Sequence, residues 1–176
     1  MTVCMAVSDG SKTILASDTR SINGNFTEEV PKWIVGDTLA VAIAGDYLSY
    51  NLIREHWEEF EQFPGMLEFP VQHFRQFVLG LFEKYQYKAS EAKGSRAWGS
   101  EFILASAEAV VSFDETLCSI TQPTNIPAMI GSGAPYAVGA FHAAKGSLKT
   151  RALTALRVTN EICSECSGEF LHVLRA

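Results

Sequence analysis

The order in which local textures follow one another along this chain is what most limits the folds open to it. Residues 2–8 alternate toward a strand, "GSK" turns, and "TILASDT" reads as the antiparallel partner. "SINGNFTEEVP" is rich in turn formers and reads as a loop, while "KWIV", the turn "GDT" and "LAVAIAG" predict a second hairpin. The texture then changes. "DYLSYNLIREHWEEFEQF" sets Leu48, Leu52, Trp57 and Phe60 at helical spacing, and "PG" closes it. "PVQHFRQFVLGLFEKYQYKA" predicts a second amphipathic helix with Phe74, Phe77, Leu81 and Phe82 on one side.

A polar connector, "SEAKGSRAWG", leads into strands in "SEFILASA", "AVVSFD" and "TLCSITQP". After "IPAMIGSG" come two helical stretches, near 134–145 and 147–163, and a last strand in "GEFLHVLRA". Four strands, two helices, several strands, two helices and a strand are satisfied by two sheets packed face to face with helix pairs outside. That is an α+β, αββα four-layer sandwich. No repeat or linker interrupts the order, so 1–176 are expected to form a single domain.

Composition excludes several classes of function. At 47% hydrophobic and 19% charged, the chain can bury a core and is not disordered. A net charge of −6 without a basic cluster argues against nucleic-acid binding. The start lacks a basic n-region, and runs such as "LAVAIAG" fall short of the roughly 20 residues that span a bilayer. No membrane association and a cytoplasmic location are therefore expected. Cys4, Cys118, Cys163 and Cys166 are too scattered for a disulfide framework, and the lone Cys163-x-x-Cys166 has no second ligand pair for zinc. Free thiols are the expectation. The four histidines show no ligand spacing.

The chemistry concentrates at the start of the chain. Thr2 stands directly behind Met1, and Asp18 and Lys32 follow. Methionine is trimmed before small residues, and a threonine exposed at a free N-terminus then holds both a nucleophile and a base. Its hydroxyl attacks, and its α-amine, with a pKa of about 7.7–8.0, takes the proton. A lysine nearby would keep the hydroxyl proton labile, and a carboxylate would hold that lysine. Read from these positions alone, Thr2 is equally an ordinary second residue, Lys32 a solvated charge and Asp18 a turn residue.

The ordered set "SDTR", Gly24, Lys32, "AIAG", "IGSGAPYAVGAFHA" and "NEICSECSG" resembles the proteasome β-subunit family of N-terminal nucleophile hydrolases, most closely its HslV-like branch. The resemblance spans nearly the whole chain. It implies Thr2 as nucleophile, Asp18 and Lys32 as the charge pair beside it, and Arg20 bracing their loop. It further implies the Gly45 N–H as oxyanion donor, Ser132 as the serine next to the Thr2 amine, and Glu161 with Ser164 as the acidic residue and second serine. Glu161 stands where most members carry Asp, Glu165 where glycine is common, and the stretches Gly24–Lys32 and Lys32–Gly45 are shorter than usual.

The resemblance also implies a substrate pocket at Val30, Ile34 and Ile43, side chains that core packing would equally claim. It implies a sodium ion held by backbone carbonyls of Asn160, Cys163 and Cys166, where an ordinary helix end meeting water is the alternative. No cofactor is expected for the chemistry. Self-association into stacked six- or seven-fold rings, an ATP-driven unfoldase as partner, and peptides or unfolded proteins as substrates complete the expectation. Two other readings share these residues: a catalytically silent ring scaffold, and a stand-alone amidase or acylase.

Overall fold

The computed structural model describes residues 2–23, 26–62, 70–92 and 95–175; Gly24 lies outside them. Along the chain run β1 (Cys4–Ser8), β2 (Lys12–Ser17), β3 (Arg20–Asn23), β4 (Phe26–Glu29), β5 (Trp33–Val35) and β6 (Ala40–Gly45). Helices α1 (Tyr47–Glu55), α2 (Trp57–Glu61) and α3 (Pro70–Lys84) follow. Then come β7 (Ser90–Ala92), β8 (Ser95–Ala97), β9 (Ser100–Ala105), β10 (Val110–Phe113), β11 (Ser119–Thr121) and β12 (Ala128–Ile130). Helices α4 (Ala134–Ala143) and α5 (Leu148–Ile162) precede β13 (Phe170–Arg175).

Two antiparallel sheets dominate: one ordered β12-β1-β2-β13, the other β11-β10-β9-β6-β5. The two-residue period of a strand sends alternate side chains to opposite faces. Ala40, Ala42 and Ala44 of β6 pack with Cys4, Ala6 and Leu15 between the sheets, whereas Val41 and Ile43 face the aromatic cluster of Tyr50, Trp57, Phe60 and Phe74 on α1–α3. On the other sheet Val3, Met5 and Ile14 turn outward against Phe141 of α4 and Leu156 of α5. Three cores therefore separate four layers, helices–sheet–sheet–helices, which is the expected αββα sandwich. Small alanines at the sheet–sheet interface let the two backbones approach closely beside the chain's start.

The elements depart from expectation where pairing is non-local. The expected loop at "SINGNFTEEVP" holds a short ribbon, with Arg20 opposite Glu29 and Ser21 opposite Glu28. The connector "SEAKGSRAWG" holds another, β7 with β8. "IPAMIGSG" contributes β12, an edge strand that pairs Ile130 with Cys4. The long helix expected over 46–63 breaks at His56 (φ −113°, ψ 12°), whose ring hydrogen-bonds Glu59 and Tyr85 at 2.8 Å each. Among the described residues no helix is long and apolar enough to cross a membrane.

Candidate functional site

The register of β1 on β2 sets Cys4 opposite Ser17, so Val3 and Asp18 meet just past the strand ends. The Val3 N–H donates to Asp18 Oδ1 at 2.9 Å, and the Asp18 N–H returns a bond to the Val3 carbonyl at 3.1 Å. From the other side the Gly133 N–H donates to the Thr2 carbonyl at 3.0 Å. Gly131, at φ +88°, lies so close that a Cβ there would collide with the Thr2 carbonyl oxygen. Its N–H donates to Glu101 Oε2 at 2.9 Å. The backbone of Thr2 and Val3 is thus held by β2 on one side and by the turn opening α4 on the other.

Asp18 is fully buried, and its second oxygen, Oδ2, has no hydrogen-bond partner among the described residues. Burial pushes its carboxyl up to about 6, opposed by the Val3 N–H and by the positive charge of Lys32. Lys32 is itself nearly buried, and its Nζ donates to the Arg20 carbonyl at 2.7 Å. Arg20 reaches on to the turn after α5, where Nη1 donates to the Ser164 carbonyl at 2.9 Å. The Thr19 and Arg20 N–H groups both donate to the Ser167 carbonyl, at 2.9 and 3.2 Å.

Gly45 ends β6 at φ +140°, opposite Ser100. A Cβ there would collide with the Gly99 carbonyl and stand 2.7 Å from Ser100 Cα. Only glycine fits this close approach. Thr2 and Gly45 share two cavities. One, of about 300 Å³, is walled by Arg20, Ser21, Val30, Pro31, Lys32, Ile43, Asp46, Tyr47 and Tyr50. The other, of about 280 Å³, is walled by Ala44, Gly99, Glu101, Glu115, Gly131 and Ser132.

Of the expected residues, Thr2, Lys32, Gly45, Val30 and Ile43 meet at the first cavity, and Ser132 meets Thr2 at the second, with Asp18 directly beneath through its bond to Val3. Ile34 lies in the core against α1–α3. Glu161 and Ser164 are exposed at and beyond the end of α5 and line neither cavity; the Ser164 group that connects to the site is its carbonyl. Sequence reasoning missed Tyr47 and Tyr50, whose three-residue spacing behind Gly45 was the available signal, and also Glu101 and Glu115.

No group of three His, Cys, Asp or Glu side chains among the described residues could hold a metal ion. The region expected to take sodium offers oxygens instead. Among the described residues Asn160 Oδ1 is buried without a hydrogen-bond partner, and the Cys163 carbonyl accepts the Cys166 N–H at 3.0 Å.

No protein-family model and no curated protein matches the chain. Solved structures do. HslV from Trypanosoma brucei superposes with a TM-score of 0.70 at 20% identity, covering 99% of each chain. Thiobacillus denitrificans BPH superposes with a TM-score of 0.77 at 20% identity, covering 99% of this chain and 98% of that one. The same protein in complex with epoxomicin gives 0.78 at 17% identity over the same shares. End to end, the chain has the fold of HslV, as the resemblance read from its sequence implies.

Proposed function

We propose that the chain is a threonine-type peptidase subunit whose nucleophile is Thr2 after removal of Met1. The observation that supports it most is the pair of bonds between Val3 and Asp18, which sets the start of β1 at the junction of two cavities beside a buried carboxylate and a nearly buried lysine.

In this reading the Thr2 hydroxyl attacks a substrate carbonyl seated near the Gly45 N–H, and the freed α-amine takes its proton. Lys32 keeps a positive field beside the hydroxyl, and Asp18 balances that charge from below. The amine then hands its proton to the leaving nitrogen, an acyl ester remains on Thr2, and water hydrolyses it with the amine again as base. The Gly45 N–H stabilises the oxyanion in both steps. Val30, Ile43, Tyr47 and Tyr50 receive the side chain on the acyl side, which favours cleavage after hydrophobic residues. No cofactor takes part. A sodium ion at Asn160, Cys163 and Cys166 would brace the turn that carries Ser164 and Ser167, and does nothing to the reacting atoms.

The same proposal extends to self-association in stacked rings that enclose the Thr2 sites, to an ATP-driven unfoldase that feeds unfolded chains to them, and to a cytoplasmic location. The test is the intact mass of protein expressed in cells, before and after treatment with epoxomicin or another peptide epoxyketone. Such a reagent closes a ring on a threonine hydroxyl and its free amine together. Loss of Met1 with a one-to-one adduct, absent in Thr2→Ala, is expected. Retained Met1 and no adduct would overturn the peptidase in favour of the silent ring scaffold, the reading favoured by Glu161 and Ser164 lying off both cavities.

A further inference from the structure

We propose that Cys163 and Cys166 are a redox-modification site: a reversible disulfide between them clasps the turn that straps down the Asp18–Arg20 segment. Its consequence for Thr2 rests on the peptidase reading above; the clasp itself does not.

The two thiols are already in contact, Cys163 Sγ donating to Cys166 Sγ over 3.1 Å. Cys163 caps the C-terminus of α5 in an extended conformation, and the Cys166 N–H bonds back to its carbonyl at 3.0 Å. That is the i to i+3 bond of a β-turn, which keeps the outer Cα atoms within about 7 Å. Disulfides ask for Cα separations of about 4.4–6.8 Å, so closing the bond draws the sulfurs together by about 1 Å without unfolding the turn. No other pair of cysteines stands in this relation: Cys4 is buried within the sheet–sheet core and Cys118 is exposed beyond β10.

The turn is not idle. Ser164, inside it, accepts from Arg20 Nη1, and Ser167, next to it, accepts from the Thr19 and Arg20 amides. Arg20 in turn accepts from Lys32. A covalent link between residues 163 and 166 therefore fixes the acceptors that hold the loop beside Thr2. Both cysteines are buried, at 3% and 2% exposure, so exchange with an outside disulfide proceeds when the turn opens.

The chemistry balances with a small-molecule disulfide such as oxidised glutathione. One thiol loses its proton and attacks the glutathione disulfide, releasing one glutathione thiol and leaving a mixed disulfide. The second thiol loses its proton and displaces the other glutathione. Two S–H bonds break, one S–S bond forms between Cys163 and Cys166, and the oxidant leaves as two thiols.

The test equilibrates the full chain in glutathione buffers from reducing to oxidising, then quenches in acid, alkylates and maps the peptides. Amide exchange of Thr19 and Arg20 and epoxyketone labelling of Thr2 are followed in parallel. The expected result is a Cys163–Cys166 cross-link, with Cys4 and Cys118 still alkylated, and exchange at Thr19 and Arg20 slowed by about tenfold and restored by a reducing agent. Cys163→Ala must lose both responses; should that variant not fold, the oxidised and reduced wild-type chains decide alone. Absence of the cross-link at every ratio, even in a chain loosened by urea, overturns the site. A cross-link that leaves Thr19 and Arg20 exchange unchanged overturns the clasp. If exchange responds while Thr2 labels in neither state, the clasp stands and the peptidase reading falls.

Discussion

Val3 and Asp18 hold each other twice, the Val3 amide on the Asp18 carboxylate at 2.9 Å and the Asp18 amide on the Val3 carbonyl at 3.1 Å. The carboxylate thereby does two jobs. It completes the β1–β2 ladder past the last strand residues, and it places a negative charge under the start of the chain.

Those jobs separate by substitution. Asp18→Asn keeps a carbonyl oxygen for the Val3 N–H and removes the charge, whereas Asp18→Ala leaves a buried N–H unpaired at a cost of about 1–3 kcal/mol. At pH 7 Asp18→Asn is expected to unfold at or above the wild-type temperature and Asp18→Ala below it. Both are expected to label Thr2 at least about a hundredfold more slowly, the scale of positioned proton-transfer chemistry. Calorimetry beside labelling rates reads the two effects, and an Asn variant that labels at the wild-type rate would remove Asp18 from the chemistry.

The buried carboxyl also sets a pH dependence. Asp18 titrates near 3.8 in an unfolded chain and is pushed up to about 6 in the fold, chiefly by burial. Between those values the unfolded chain has released its proton while the folded one still holds it. Stability therefore falls as pH rises through this window and levels off above about 6, by roughly 3 kcal/mol in all. Denaturant midpoints between pH 4 and 7 should show this slope in the wild type and lose it in Asp18→Asn. Lys32→Met, which removes the charge that draws the carboxyl down, should carry the slope to higher pH.

Gly45 offers a test of backbone geometry. Its φ of +140° and the approach of Gly99 and Ser100 leave no room for a methyl group. Gly45→Ala is expected to cost about 1–3 kcal/mol from strain, and to move the N–H that both cavities share. Thermal unfolding should fall by several degrees and Thr2 labelling by more than stability alone explains. A Gly45→Ala chain that labels normally would mean that the oxyanion is held elsewhere.

These residues were not equally visible in the sequence. The layer order was legible because strand and helix leave different local periods, as "LAVAIAG" and the Phe74–Phe82 run show. The ribbon Arg20–Glu29 and the edge strand at Ala128 were not, since each exists through partners elsewhere in the chain. Thr2, Asp18, Lys32, Gly45 and Ser132 could be named because their types and order carry chemistry. Glu101 could not: it reaches the site only because β9 pairs it with Ala44, and no local pattern encodes that register. The resemblance implies Ile34 as a pocket residue, yet the pleat of β5 sends it into the core.

Glu101 is accordingly the residue whose role rests most on the fold. Its Oε2 accepts the Gly131 N–H at 2.9 Å, and Gly131 is the residue packed against the Thr2 carbonyl. Glu101→Ala leaves that turn without its charged acceptor. A hydrogen bond to a charged group is worth about 1.5–3 kcal/mol and a neutral one about 0.5–1.5, so Glu101→Gln should lose less. The expected order of unfolding temperature is wild type, Glu101→Gln, Glu101→Ala, with steps of a few degrees for a chain of this length. Thr2 labelling should fall in the same order, by about tenfold for Ala, because the turn sets the height of Thr2 between its two cavities. Were Glu101→Ala to lose stability with no change in labelling, the carboxylate would serve the α4 turn alone. The position of Thr2 would then be fixed by Val3 and Asp18 without help from the opposite sheet.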